Sequence, residues 1–226
     1  MPTSGSLGFR VLPAGPRLDE AVVRRFSALA SSALADAMGR FNFMDPGIQA
    51  RTGLRLFGQA VTVSCRPGDN LMVHKALDVA QPGDVVVVVT GGNLTSAVFG
   101  GLMCHVAVAK KLGGLVVDGA IRDLDELRDM AFPAFSRAVS PGSCDKDGPG
   151  EINVPVACGG AVVAPGDVVV GDGDGVVVVP RADIPEVLQL VSALLERERK
   201  RVQEIKSGVL LKPDVDETLR KKGVIP

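Results

Sequence analysis

The sequence has no tryptophan and no tyrosine, and aromatic residues make up only 4% of its 226 positions. A surface that stacks bases needs exposed aromatic rings, so composition argues against a single-stranded nucleic-acid platform. An excess of one charge is lacking too: 25 Lys and Arg face 26 Asp and Glu, for a net charge of −1. No basic field exists to draw a phosphate backbone or an anionic membrane, so neither nucleic acid nor membrane is expected as a partner. The four cysteines, Cys65, Cys104, Cys144 and Cys158, are far apart and form no CxxC pair. That excludes the common zinc-cluster and disulfide frameworks and fits reduced thiols in a cytoplasm. Histidine occurs only at His74 and His105. Any metal site must then rest on carboxylates, carbonyls and water, a donor set suited to magnesium or manganese. The first residues lack the charged start and apolar core of a signal peptide, and no apolar run is long enough to span a bilayer. A cytoplasmic location is the expectation.

What is present is a valine-, alanine- and glycine-rich chain, 46% hydrophobic and long enough for a sizeable core. Residues 1–17, rich in Gly, Pro and Ser, are expected to be a loose arm, residues 18–208 a single domain and residues 209–226 a polar tail. Helical spacing marks Leu18 to Leu29, Ser32 to Met38, Leu71 to Ala80, about Ala97 to Lys111, and a long stretch from Ala182 to Lys206. Strands are predicted over Leu56 to Cys65, Val85 to Val89, Leu115 to Val117 and Phe132 to Ala138, with two short pieces around Gly159-Gly160. Ser140 to Asn153 reads as a surface loop. Pro82-Gly83-Asp84 and Pro165-Gly166-Asp167 are two uses of one turn, each ahead of a valine run. GDGDG at Gly171 to Gly175 has the acidic spacing of a calcium loop, but β-branched residues flank it and no Glu follows, so it reads as a hairpin turn.

The chain is organised around Leu112 to Leu127, LGGLVVDGAIRDLDEL. Leu115, Val116 and Val117 predict a short buried strand, Asp118-Gly119-Ala120 a tight turn that ends it, and Asp123 the N-cap of a short helix over Leu124 to Met130. Arg122 and Asp123 then stand at a strand end, where α/β proteins bind ligands. Two readings of this pair remain open at this point: a capping Asp beside a surface Arg, or a guanidinium and a carboxylate placed for chemistry.

The segments GDNLMVHKAL, PGDVVVVV, GGLM, GGLVVDGAIRD, NVPVACGG and PGDVVVGDGDGVVVVP follow in order. Over roughly Ser32 to Gly208 they resemble the RraA-like family, which holds the class II pyruvate aldolases and the regulator of ribonuclease E activity A. The resemblance implies a swivelling-domain-like α/β/β sandwich with a long C-terminal helix, assembled as a homotrimer or homohexamer with sites between subunits. It implies a lyase that cleaves 4-hydroxy-2-keto acids such as 4-hydroxy-4-methyl-2-oxoglutarate to pyruvate, and that also decarboxylates oxaloacetate through the same enolate. In that scheme Asp123 holds a divalent metal, magnesium or manganese, mostly through waters. Arg122 contacts the keto oxygen and leaving-group region, Asn70 lies near the substrate, and main-chain amides of Gly100, Gly101, Leu102 and Met103 cradle the pyruvate carboxylate. Glu198, which by itself reads equally as a solvated charge among alternating Glu and Arg, takes the family position that reaches a neighbour's metal.

One residue departs from the pattern. Gly101 stands where many of the aldolases carry an Asp or Glu that positions a water for proton transfer. If that carboxylate is simply missing, Gly101→Asp is expected to raise turnover. The alternative function that the resemblance implies is a non-catalytic regulator that binds a ribonuclease.

Overall fold

The valine run after Pro82-Gly83-Asp84 sits at the centre of the molecule. In the computed structural model, which describes residues 4–226, the chain opens with strands β1 (Ser4–Ser6) and β2 (Phe9–Val11) and helices α1 (Glu20–Ser27) and α2 (Ser31–Ala37). Strands β3 (Gln49–Ala50) and β4 (Leu56–Cys65) lead to helix α3 (Leu71–Val79) and the valine strand β5 (Asp84–Val89). The middle of the chain alternates through β6 (Ala97–Phe99), α4 (Gly101–Ala109), β7 (Gly114–Ile121), α5 (Leu124–Asp129) and β8 (Ala134–Val139). The β-rich end comprises β9 (Gly150–Ile152), β10 (Val156–Cys158), β11 (Ala161–Val163), β12 (Val168–Asp172) and β13 (Gly175–Val179). Helices α6 (Ile184–Lys206) and α7 (Pro213–Lys221) follow.

Strands β4, β5, β7 and β8 lie parallel, side by side, while β9 and β12 run antiparallel along different stretches of β4. Successive valines of β5 point to opposite faces, and both faces are covered. Val86 and Val88 join Val73, Leu77, Cys104 and Leu127 in the core under α3, α4 and α5. Val85 and Val87 join Phe135, Val156, Cys158 and Val163 under the β10–β11 hairpin. A third cluster packs α1, α2 and α6 onto the β12–β13 hairpin through Phe26, Leu34, Val177, Leu188 and Val191. The layers are helix, sheet and sheet, with one large mixed sheet and a long C-terminal helix. Among the described residues no helix is long and apolar enough to cross a membrane.

The turn aspartates explain their motifs. Asp84 accepts the N–H of Gln81 and Asp167 that of Ala164, so each carboxylate closes its own turn. Asp172 of the GDGDG hairpin accepts the N–H of Ser31 at 2.8 Å and of Asp174 at 3.1 Å, which spends it on the α2 start and its own turn.

Four local expectations are corrected. β7 does not end at Asp118-Gly119-Ala120 but runs on to Ile121. Its register against β8 shifts between Val117 and Ala120, a bulge rather than a turn. A Cβ at Gly119 would stand 2.4 Å from Thr90 Oγ1, and Asp118 is anchored to Arg137 at 2.5 Å and to the N–H of Gly159 at 2.7 Å. Residues 97–99, predicted as helix, form β6 along β7, because Val98 and Phe99 are β-favouring and fully buried there. Residues 4–11, read as a loose arm, form a hairpin whose β2 pairs with β9 inside the expected Ser140–Asn153 loop; Arg10 and Glu151 meet at 2.6 Å across that pairing. Part of the tail past Gly208 is the helix α7.

Candidate active site

Asp123 occupies the N-cap position of α5, but its side chain makes no cap bond there. Its backbone is left-handed, with φ 58° and ψ 42°, a conformation that costs a non-glycine residue about 1 kcal/mol or more. That geometry turns the carboxylate away from its own helix. Asp123 Oδ2 instead accepts the N–H of Gly101, the first residue of α4, at 2.9 Å. Arg122 Nε lies 3.5 Å from the same oxygen, and the two side chains are 41% and 42% exposed, so both remain open to a ligand. Gly100 makes this approach possible: a Cβ there would stand 2.5 Å from Asp123 Oδ2 and 2.9 Å from Arg122 Cγ. Of the two readings of the pair, a local capping Asp is not what the structure shows.

Arg122, Asp123 and the first turn of α4 line one cleft together with Asn70. Helix starts leave N–H groups without intrahelical acceptors. Asp123 takes that of Gly101, while those of Leu102 and Met103 have no acceptor among the described residues. Asn70, which precedes α3, is buried; its Nδ2 donates to the Val98 carbonyl at 3.2 Å, and its Oδ1 has no partner among the described residues. The structure thus brings Asn70, Gly100, Gly101, Leu102, Met103, Arg122 and Asp123 together. Glu198 lies on α6 and does not line this cleft within one chain.

Six further residues line the cleft without having been singled out by sequence reasoning: the apolar Ala97 and Phe99, and His74, Ser143, Cys144 and Lys146. His74 follows Asn70 by one helical turn, a spacing that could have found it. The 143–146 segment belongs to a loop with no motif of its own. Burial and the Lys146 charge hold the His74 imidazole below its usual pKa, and burial raises that of the Cys144 thiol.

Asp69 secures that loop. Its buried carboxylate accepts the N–H groups of Leu71 at 2.9 Å, Asp147 at 2.7 Å and Gly148 at 2.8 Å. Burial pushes its pKa up, but these N–H groups and the Arg66 guanidinium outweigh burial, and the net shift is downward from 3.8. A folded pKa below the unfolded one stabilises at pH above the unfolded value, and that stability is lost as pH falls through the folded value. Asp69→Asn is therefore expected to cost about 1.5–3 kcal/mol at pH 7, the worth of a charged hydrogen bond. The cost should shrink as pH drops below about 4, where the wild-type carboxyl protonates in the unfolded chain. Urea unfolding of both proteins across that range reads the difference; an equal cost at every pH would exclude a charge-based role.

The donor set can be weighed for a cation. Among the described residues no group of three or more His, Cys, Asp and Glu could hold a metal. The cleft offers the half-exposed Asp123 carboxylate, while the Asn70 amide oxygen is itself buried. Hard oxygen donors few in number fit a strongly hydrated magnesium or manganese ion that keeps most of its waters.

Gly101 corrects the expectation of a simple gap. A Cβ there would stand 1.7 Å from Glu126 Oε2, so a carboxylate from α5 already fills that space. Gly101→Asp would first meet the far end of this half-exposed side chain, which must swing aside to admit it.

Comparison with known proteins follows this geometry. Residues 31–178 match the RraA-like family, described as Aldolase/RraA. A Halalkalibacterium halodurans protein provisionally named 4-hydroxy-4-methyl-2-oxoglutarate aldolase is 35% identical over 189 residues, covering 83% of this chain and 90% of the relative. An uncharacterized protein from Pseudomonas syringae pv. tomato superposes with a TM-score of 0.77 at 30% identity, over 86% of this chain and 96% of its own. Streptomyces coelicolor RraAS2, described as an unusual member of the RNase ES inhibitor RraA protein family, superposes with a TM-score of 0.73 at 29% identity, over 84% and 98%. The family match spans every cleft residue named above and stops before α6.

Proposed function

The chain belongs to the RraA-like family, and from that premise we propose that it is a divalent-metal-dependent lyase. It cleaves 4-hydroxy-2-keto acids of the 4-hydroxy-4-methyl-2-oxoglutarate type to pyruvate, and decarboxylates oxaloacetate through the same enolate. One observation carries the reading: a single cleft joins the Arg122 guanidinium, the Asp123 carboxylate and the unpartnered N–H groups of Leu102 and Met103.

The first turn of α4 binds the carboxylate of the keto acid, since its free N–H groups and the helix dipole both favour an anion. Arg122 faces the keto oxygen and opposes the negative charge that builds there when the bond between C3 and C4 breaks. Lys146 is a second cation at the cleft wall, suited to the distal carboxylate of a diacid. Asp123 would hold the cation, mostly through its waters. When bound, that ion supplies further positive charge against the enolate. In a trimer or hexamer, the exposed Glu198 of one copy would serve the cleft of the next.

Pyruvate release over a panel of 4-hydroxy-2-keto diacids and oxaloacetate, with magnesium or manganese, tests the proposal; no release from any of them would sink it. A second reading, a regulator that binds a ribonuclease, is supported by the likeness to RraAS2. It predicts no pyruvate and a stable complex with the ribonuclease.

A further inference from the structure

The space beside Gly101 is where the molecule departs from a plain keto-acid cradle. Glu126, on the first turn of α5, lays its carboxylate directly against the backbone of the first α4 residue. The ideal Cβ of residue 101 would stand 1.7 Å from Glu126 Oε2 and 2.4 Å from Glu126 Cδ. Gly101 has no positive φ, so its backbone would accept any L residue. The space a side chain at 101 would enter is taken by a carboxylate. The other oxygen, Oε1, lies 3.0 Å from Nε2 of His105, one turn along α4 from Gly101. Both side chains are partly open, at 62% for His105 and 48% for Glu126.

We propose that Glu126, which stands beside the cleft residue Gly101 and is oriented by His105, is the acid–base group that serves this cleft. The inference rests on the lyase reading and adds the proton path to it. Glu126 takes the proton of the substrate 4-hydroxyl as the C3–C4 bond breaks. The bonding pair stays on C3 as the pyruvate enolate, and C4 becomes the carbonyl of the departing product. The protonated Glu126 then returns that proton to C3, which gives pyruvate and restores the carboxylate. No other reagent enters the balance. His105 is a positioning residue: it fixes one oxygen so that the other faces the Gly101 backbone.

The groups that line the cleft itself, and Cys104 next in the chain, fit this task less well. Asp123 Oδ2 is committed to the Gly101 N–H. The Cys104 thiol is pushed up to about 12 by burial and by Glu126 itself. Arginine does not release its proton in this range. His74 is the rival, and the experiment below includes it.

Deuterium exchange into the pyruvate methyl group in D₂O, followed by NMR, reports the proton step without aldol cleavage. Pyruvate binding by calorimetry reports the cradle alone. Glu126→Gln is expected to slow exchange and pyruvate release by about 10²-fold or more, the usual worth of a general acid or base, with pyruvate affinity unchanged. His105→Asn should cost roughly 10-fold, as loss of an outer-shell partner does. Glu126→Ala should lose exchange as Glu126→Gln does. The double variant Glu126→Ala/Gly101→Asp should recover part of it, because the new side chain grows into the vacated space.

Wild-type exchange in Glu126→Gln overturns the proposal, as does loss of exchange in His74→Asn alone. A wild-type protein that binds pyruvate and exchanges its protons, beside an equally active Glu126→Gln, removes only the Glu126 assignment. A wild-type protein that neither binds nor exchanges pyruvate removes the lyase reading, and this proposal with it.

Discussion

In EDTA, pyruvate release should fall to background, and it should return when magnesium or manganese is restored. The argument is one of magnitudes. Enzymes lower barriers by about 8–23 kcal/mol, whereas one well-placed donor to a developing oxyanion contributes about 2.7–4 kcal/mol. On the lyase reading, Arg122 alone would supply only part of the barrier reduction. Asp123 offers the hard oxygen donor for a cation that would meet the rest. The rival on this chain is Lys146, which lines the cleft; its neutral amine would attack the keto carbonyl and expel water to give a Schiff base, an electron sink that needs no cation. Borohydride with pyruvate separates the two. Full activity in chelator, with inactivation by borohydride, would replace the cation by Lys146.

Arg122→Lys should lower turnover by about 10²–10³-fold, the cost of losing one oxyanion donor. Lysine keeps the charge but presents a compact, strongly hydrated head in place of a planar fork. Thermal stability should barely move. The 3.5 Å contact to Asp123 joins two side chains about two-fifths exposed, and such pairs contribute about 0–1 kcal/mol. Parallel melting curves and steady-state kinetics make the distinction: normal turnover would mean Arg122 only shapes the strand end, and a large drop in melting temperature would mean it holds the fold.

Much of this was legible in the chain. Period and turn chemistry suffice for β4, β5, α3, α6 and the hairpin of β12 and β13, because each is a long or punctuated segment whose local preference agrees with its burial. The failures are where contacts distant in sequence decide. Val98 and Phe99 read as helix until β7 lies beside them, and Asp118-Gly119-Ala120 reads as a turn until Thr90 and β8 hold it as a bulge. At the site, Arg122 and Asp123 stand out by motif, but the role of Asp123 as the cap of another helix depends on a left-handed φ that no spacing reveals. The loop residues Ser143, Cys144 and Lys146 are brought in by Asp69, some seventy-five positions away in the chain. Glu126 could have been noticed one turn after Asp123, yet only the empty side of Gly101 shows where its carboxylate goes.

The two-faced valine strand has a consequence for how ligands can be found. Val86 and Val88 belong to the helix-side core and Val85 and Val87 to the opposite one, so neither layer can detach without stripping a wall from β5. The cleft draws on the residues that follow β7 and on α3 and α4, and those three elements are tied into that strand through the same core. A ligand held between these elements binds the folded chain and not the unfolded one. A molecule that occupies the cleft draws the whole folding equilibrium by mass action, about 2.7 kcal/mol at a concentration a hundred times its dissociation constant. Keto acids, diacids and cations can accordingly be ranked by the melting temperature of the intact chain, including those it binds and does not turn over.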